Sequence, residues 1–297
     1  MRSTALFFLF LLACLLLAAA LTPPLLQTGW LAFEPHRVMS RLAQLLMILG
    51  VWPFLRLLGL DGREALGYGR PRPEILRALV RGWLAGVAIL LVLVIALLVL
   101  ELRVLDLRAA ARHAELARKA AQALAAGLLI GVIEETFFRG ALFTAIRRRG
   151  AAAGAILWPA VLYAAVHFLK PGTLADGHTL DWPAAGRMVL EVFTDAADWR
   201  NLDSFVALVL VGVFLGLVRE RTGHIGWCIG LHAGWVFVIQ VARYLTDGNA
   251  GAPYAFLTGT YDGVIGWLAA GWLALLSAGY LGLARPGRSD PAPGREA

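Results

Sequence analysis

Glu134, Glu135 and Arg139 sit in GLLIGVIEETFFRGALF (residues 127–143), a stretch otherwise apolar enough for lipid. A carboxylate or guanidinium at a helix centre costs roughly 2.5–3.5 kcal/mol on the translocon scale, against about 0.3–0.6 kcal/mol returned by a good apolar residue. Ionisable groups at that depth therefore mark a functional site by default. Their spacing separates their roles. Glu135 and Arg139 are four apart with the acid N-terminal, the favourable order for an ion pair along one helix face. Glu134 points roughly 100° away, toward the stripe of Gly127 and Gly131. Those glycines suit close approach of a neighbouring backbone, and would equally leave space beside Glu134 for a water. Glu135–Arg139 thus reads as a self-neutralising pair and Glu134 as a free carboxylate, which with a suitable partner can move protons in a reaction or an ion pathway.

Histidine is the candidate partner. His36, His113 and His178 fall in loops and His224 at the edge of an apolar run, where solvation accounts for them. His167 lies late in the apolar run 151–169, and His232 near the middle of the run 223–245. At 1.5 Å per residue, Glu134 is roughly 20 Å from Arg147, His167 about 24 Å from Ala151 and His232 about 14 Å from Gly223. Allowing for tilt, the three can meet near mid-membrane.

Three motifs in order carry a resemblance. EETFFR (134–139) matches the EExxxR motif of the CPBP family of intramembrane proteases, the group that includes the Ras-converting CAAX endoprotease. YAAVHF (163–168) resembles that family's second motif, an aromatic residue four before a histidine, with Tyr163 where Phe is usual. GLHAGWVF (230–237) resembles the third, which supplies a second histidine. The resemblance implies a peptidase in which Glu134 is general base and later proton donor, and His167 orients the same water. It further implies that His232 stabilises the oxyanion while Glu135–Arg139 holds the helix and tunes Glu134. One departure bears on activity. The family commonly has Asn four residues after the second histidine, and here that position is Val236, which cannot donate a hydrogen bond. Trp235 carries an indole N–H one residue earlier. Two histidines and a glutamate could also ligate zinc; there is no HExxH motif, and the metal-free water mechanism is the expectation.

These residues need helices to hold them. The 297-residue chain is 59% hydrophobic and 16% charged, with a mean hydropathy of +0.71. Soluble domains carry roughly 25% charged residues, so the expected fold is an all-α, polytopic transmembrane bundle. Apolar runs near 4–22, 40–60, 79–101, 120–146, 151–169, 204–219, 223–245 and 263–284 predict about eight spans. The first reads as a retained helix, with a cleaved signal peptide ending near Ala18–Ala20 as the alternative. Residues 1–118 form N-terminal helices and basic loops, 119–284 the protease-like core, and 285–297 a tail with the Pro, Gly and charge content of a disordered end. The connection 170–203 repeats Trp182, Ala185, Met188, Val189, Val192, Phe193 and Ala196 at helical spacing, predicting a helix in the interface plane, either a loop helix packed on the bundle or a lid or lateral gate beside a site.

The net charge of +7 is accounted for by anionic lipid headgroups, with no nucleic-acid partner. Two cysteines, both in apolar runs, exclude a disulfide framework and a cysteine zinc site. Use of 25 Arg and only 2 Lys suggests a GC-rich bacterial genome, and so a bacterial inner-membrane protein. Its expected partners are the bilayer and a membrane-anchored protein or peptide, rather than a prenylated CAAX protein. Two rival readings are an inactive relative that binds membrane segments as a maturation or immunity factor, and an ion-coupled transporter.

Overall fold

The computed structural model describes residues 2–30, 33–174, 180–196, 198–259 and 261–282. His178 and the tail 285–297 lie outside them. The helices are α1 (Arg2–Gln27), α2 (Pro35–Leu57), α3 (Arg72–Val99), α4 (Leu107–Ala111), α5 (His113–Glu135), α6 (Phe143–Arg147), α7 (Ala152–Phe168), α8 (Trp182–Ala196), α9 (Leu202–Thr222), α10 (Gly226–Leu245) and α11 (Trp267–Gly282). A π-helical turn, Thr136–Leu142, joins α5 to α6 in one continuous rod. Two short strands, β1 (Arg103–Leu105) and β2 (Thr246–Gly248), pair antiparallel and tie the end of α3 to the end of α10.

Each of the eight apolar runs forms a helix, but eight spans is too many. Among the described residues six helical stretches are long and apolar enough to cross a membrane: Arg2–Gln27, Pro35–Leu57, Arg72–Val99, His113–Arg147, Trp199–Thr222 and Gly226–Leu245. The runs 151–169 and 263–284 form α7 and α11, of 17 and 16 residues. At 1.5 Å per residue these reach roughly 24–26 Å, short of a hydrocarbon core of about 30 Å. Helix α7 fills the run 151–169 except for its two end residues, so that run is itself barely the length of a span. At α11 the first residues of the run are spent on a turn: Gly263 has φ +74°, and the Asp262 carboxylate accepts hydrogen bonds from the backbone N–H of Val264 and Ile265.

Helix α10 is the centre of the bundle, wedged between α3 and α5. Small residues make that possible. A Cβ on Gly127 would lie 2.7 Å from the Ala233 carbonyl oxygen, and one on Gly131 3.0 Å from that of Ile229. The glycine stripe of α5 is therefore filled by the α10 backbone; of the two uses foreseen for it, helix packing is the one realised. This close approach fixes the height of His232 against Glu134 and Glu135. α7 and α11 both pack on α9.

Helix α8 buries Ala185, Met188, Val189 and Val192 against Leu15, Ala18 and Ala19 of α1 and Met39 and Ala43 of α2. The apolar stripe thus packs on the bundle, with Trp182 and Phe193 at its exposed margins. The Trp182 indole N–H donates to the Ala20 carbonyl at 3.1 Å.

Candidate functional site

Regular α-helix ends at Glu135, and the next seven residues form the π turn. Phe137 through Leu142 are buried without a break, so this part of the rod turns no side toward lipid. A π turn displaces backbone carbonyls from their usual partners, and such turns cluster at functional sites. Here the Arg219 Nε of α9 donates to the Arg139 carbonyl at 3.0 Å. Beside it the segment between α2 and α3 closes in: the Tyr68 hydroxyl shares a 2.7 Å hydrogen bond with Thr136 Oγ1, and a Cβ on Gly140 would meet the Leu66 carbonyl oxygen at 2.7 Å. Burial pushes the Tyr68 phenol above its ordinary pKa.

The ion pair forms as the spacing predicts. Arg139 Nη1 donates to Glu135 Oε1 at 2.9 Å, with both side chains essentially free of solvent. The structure adds a second bond that spacing did not: His232 Nδ1 meets the same Glu135 oxygen at 2.8 Å. His232 Nε2 lies 3.8 Å from Glu134 Oε2. Glu135 is thus more than a counter-ion for Arg139, since it also fixes the imidazole. Glu134 is partly exposed, and its Oε2 is buried with no hydrogen-bond partner among the described residues.

His167 ends α7, where its Nδ1 meets the Tyr163 carbonyl oxygen at 2.7 Å. A carbonyl only accepts, so Nδ1 carries the proton; an ionised carboxylate likewise only accepts, so His232 also carries its proton on Nδ1. Nε2 of His232 is then the nitrogen that faces Glu134. Tyr163 links them: its ring centroid is 4.5 Å from that of His167 and 6.0 Å from that of His232, and the Arg139 guanidinium stands 4.6 Å from the ring centre. Glu134, Glu135, Arg139, His167 and His232 are thereby brought into one cluster, with His167 joined to the rest through Tyr163. Trp235 is buried and its indole N–H has no partner among the described residues, but its ring lies against Phe214 of α9, 6.0 Å between centroids.

The segment between β2 and α11 closes the His167 side. Tyr261 packs at 6.3 Å on His167 and 5.3 Å on Phe168, with the Lys170 ammonium 4.3 Å over its ring. Its phenol is pushed up to about 12, first by burial and then by the negative charges of Asp262 and Glu134. Burial lowers the Lys170 ammonium, with Asp262 opposing. Arg103, at the base of this segment, donates to the Thr246 and Gly263 carbonyls at 2.6 and 2.9 Å. Sequence reasoning passed over Tyr261 and Arg219 because neither stands in a motif. It noted Tyr163 only as a departure from the usual Phe, although its place four before His167 puts both on one helix face.

His224 does not behave as a solvated boundary residue. It is buried, and its Nδ1 accepts the backbone N–H of Gly226 at 3.1 Å, capping the start of α10. Burial lowers its pKa below the ordinary value, with Glu74 opposing. Among the described residues no group of three His, Cys, Asp or Glu side chains is gathered closely enough to hold a metal ion.

Fold and cluster together define a multi-pass helical membrane protein with a buried carboxylate–histidine site. Residues 116–238 match the family model described as type II CAAX prenyl endopeptidase Rce1-like, and this segment belongs to the CPBP/CAAX protease family. The match takes in Glu134, Glu135, Arg139, Tyr163, His167 and His232, and it supports intramembrane peptidase activity in general. No curated protein and no solved structure matches the chain.

Proposed function

We propose that the chain is an intramembrane endopeptidase that hydrolyses a peptide bond of a membrane-associated protein or peptide with water activated by Glu134 and the two histidines. The observation that carries this reading is one imidazole between two carboxylates, His232 being 2.8 Å from Glu135 and 3.8 Å from Glu134. Glu135 is fully buried and holds Arg139 and His232 through one oxygen, whereas Glu134 makes neither bond and is partly exposed, which leaves Glu134 as the carboxylate that water can reach.

Water held between Glu134 and His167 Nε2 loses a proton to Glu134 as its oxygen attacks the substrate carbonyl carbon. The carbonyl oxygen becomes an oxyanion. When the intermediate collapses, the C–N bond breaks and Glu134 returns the proton to the departing amine. Glu135 orients His232 and lets it bear a proton beside the developing charge, and Arg139 holds Glu135 in place. The core runs over 119–284, past the matched segment, because α11 packs on α9 and the segment before it covers His167. The setting is a bacterial inner membrane, and the substrate is the membrane anchor of an exported protein or a secreted peptide. A prenylated substrate is not carried over, since a shared fold does not fix a function.

The test compares protein termini in host membranes holding equal amounts of wild type and Glu134→Gln. Termini that depend on wild type identify both the activity and its substrate. Identical termini refute the peptidase reading and leave segment binding or ion coupling. Chelation of the purified protein is expected to leave the rate unchanged; stoichiometric zinc removed together with the rate would establish a metallo-type mechanism instead.

A further inference from the structure

An acyl oxyanion needs donors aimed at it, and each is worth on the order of 10²–10³ in rate. Besides the Arg139 guanidinium, whose Nε and Nη2 have no partner among the described residues and which lies behind the Tyr163 ring, donors are scarce around this cluster. Both histidines direct their Nδ1–H elsewhere, to the Tyr163 carbonyl and to Glu135. The Thr136 hydroxyl donates to the Val132 carbonyl at 2.6 Å and is shared with Tyr68. Trp235 lies against α9, and Val236 has nothing to donate.

Tyr163 is different. Its side chain is buried, and its ring neighbours include both histidines of the site, at 4.5 and 6.0 Å. Arg139 stands 4.6 Å from the ring centre, a cation–π contact that draws electron density from the phenol and strengthens its O–H as a donor. Phe138 closes against the same ring at 5.4 Å, nearly perpendicular, and limits its motion.

We propose that the Tyr163 hydroxyl donates the hydrogen bond that stabilises the oxyanion, replacing from α7 the donor that α10 lacks at Val236. This rests on the peptidase reading above. As water attacks, the carbonyl π electrons move to oxygen, and that oxygen accepts the Tyr163 O–H while the water proton goes to Glu134. On collapse the lone pair re-forms the carbonyl, the C–N bond breaks and the amine takes the proton from Glu134; Tyr163 keeps its own throughout.

The experiment follows the rate at which wild-type-dependent termini appear in host membranes, for Tyr163→Phe, Glu134→Gln and Tyr163→Phe/Val236→Asn at equal abundance. The substrate so found, once purified, then serves for kcat and KM. Tyr163→Phe removes one oxygen and is expected to lower the rate on the order of 10²–10³ through kcat, with KM and melting temperature held. Adding Val236→Asn is expected to recover much of that loss, which a packing role for the phenol does not explain. A wild-type rate in Tyr163→Phe while Glu134→Gln is dead overturns the donor and leaves the peptidase standing. A loss that tracks a lower melting temperature and is not recovered by Asn also overturns it. If Glu134→Gln itself changes no terminus, the peptidase reading and this donor fall together.

Discussion

Replacing Glu135 by Ala is the sharpest probe of why three ionisable groups can share this helix. At 2.9 Å and an effective dielectric near 20, the attraction to Arg139 is about 6 kcal/mol, much of it spent on desolvating the two ions. Arg139 Nη1 donates to Glu135, whereas Nε and Nη2 have no partner among the described residues. Glu135→Ala therefore strands a cation with 1% of its side chain exposed. Breaking such a pair on one side destabilises by roughly 3–5 kcal/mol. Arg139→Leu strands the carboxylate less completely, because His232 still bonds it. Glu135→Ala/Arg139→Leu removes both charges and is expected to be more stable than Glu135→Ala alone. A double-mutant cycle by denaturant unfolding in mixed micelles measures this, with an expected coupling of about 2–3 kcal/mol. Additive losses, or a Glu135→Ala loss under about 1 kcal/mol, would refute the buried-pair argument. Activity reads a separate quantity: it should fall in the stable double variant too, because His232 Nδ1 has lost its acceptor.

Gly127→Ala drives a Cβ to 2.7 Å from the Ala233 carbonyl and should destabilise the α5–α10 contact by about 1–3 kcal/mol, seen as a lower melting temperature in detergent. Tyr68→Phe loses the 2.7 Å bond to Thr136 and should cost about 0.5–1.5 kcal/mol, with Thr136→Val giving no full second increment in the double variant. His224 has a folded pKa below its unfolded one, so its contribution is present above an unfolded pKa of about 6.5 and lost as pH falls through the lower folded value. Protonation also removes the acceptor that caps Gly226 and sets a cation at a helix N-terminus. Melting at pH 5 against pH 7.5 should show this loss, and His224→Asn, which keeps a capping oxygen, should flatten it.

What the sequence made legible was local. Four-residue spacing yielded the Glu135–Arg139 pair and small-residue spacing a close backbone approach on α5, though not its partner, because both are properties of a single helix face. The π turn had no signature, since the carbonyl it frees is taken by Arg219, 80 residues away. His232 was matched to Glu134, yet its shorter bond goes to Glu135; a helix wheel gives direction and not the height at which a neighbouring helix docks. The count of spans erred for a related reason. Apolar length overstates helix length when a turn such as that at Asp262 takes residues from a run.

The distance in sequence between Glu135 and His232, 97 residues, also sets an order of assembly. During synthesis the helix bearing both glutamates emerges and partitions into the bilayer well before its histidine partner has been translated. Arg139 travels with it, four residues behind, and cancels one of its two negative charges from the start. The rod can thus enter lipid without waiting for the rest of the chain. The carboxylate–histidine cluster is complete only when α10 arrives and slots between α3 and α5, so on the proposed function a nascent chain cut short before residue 232 is expected to be inserted and inert.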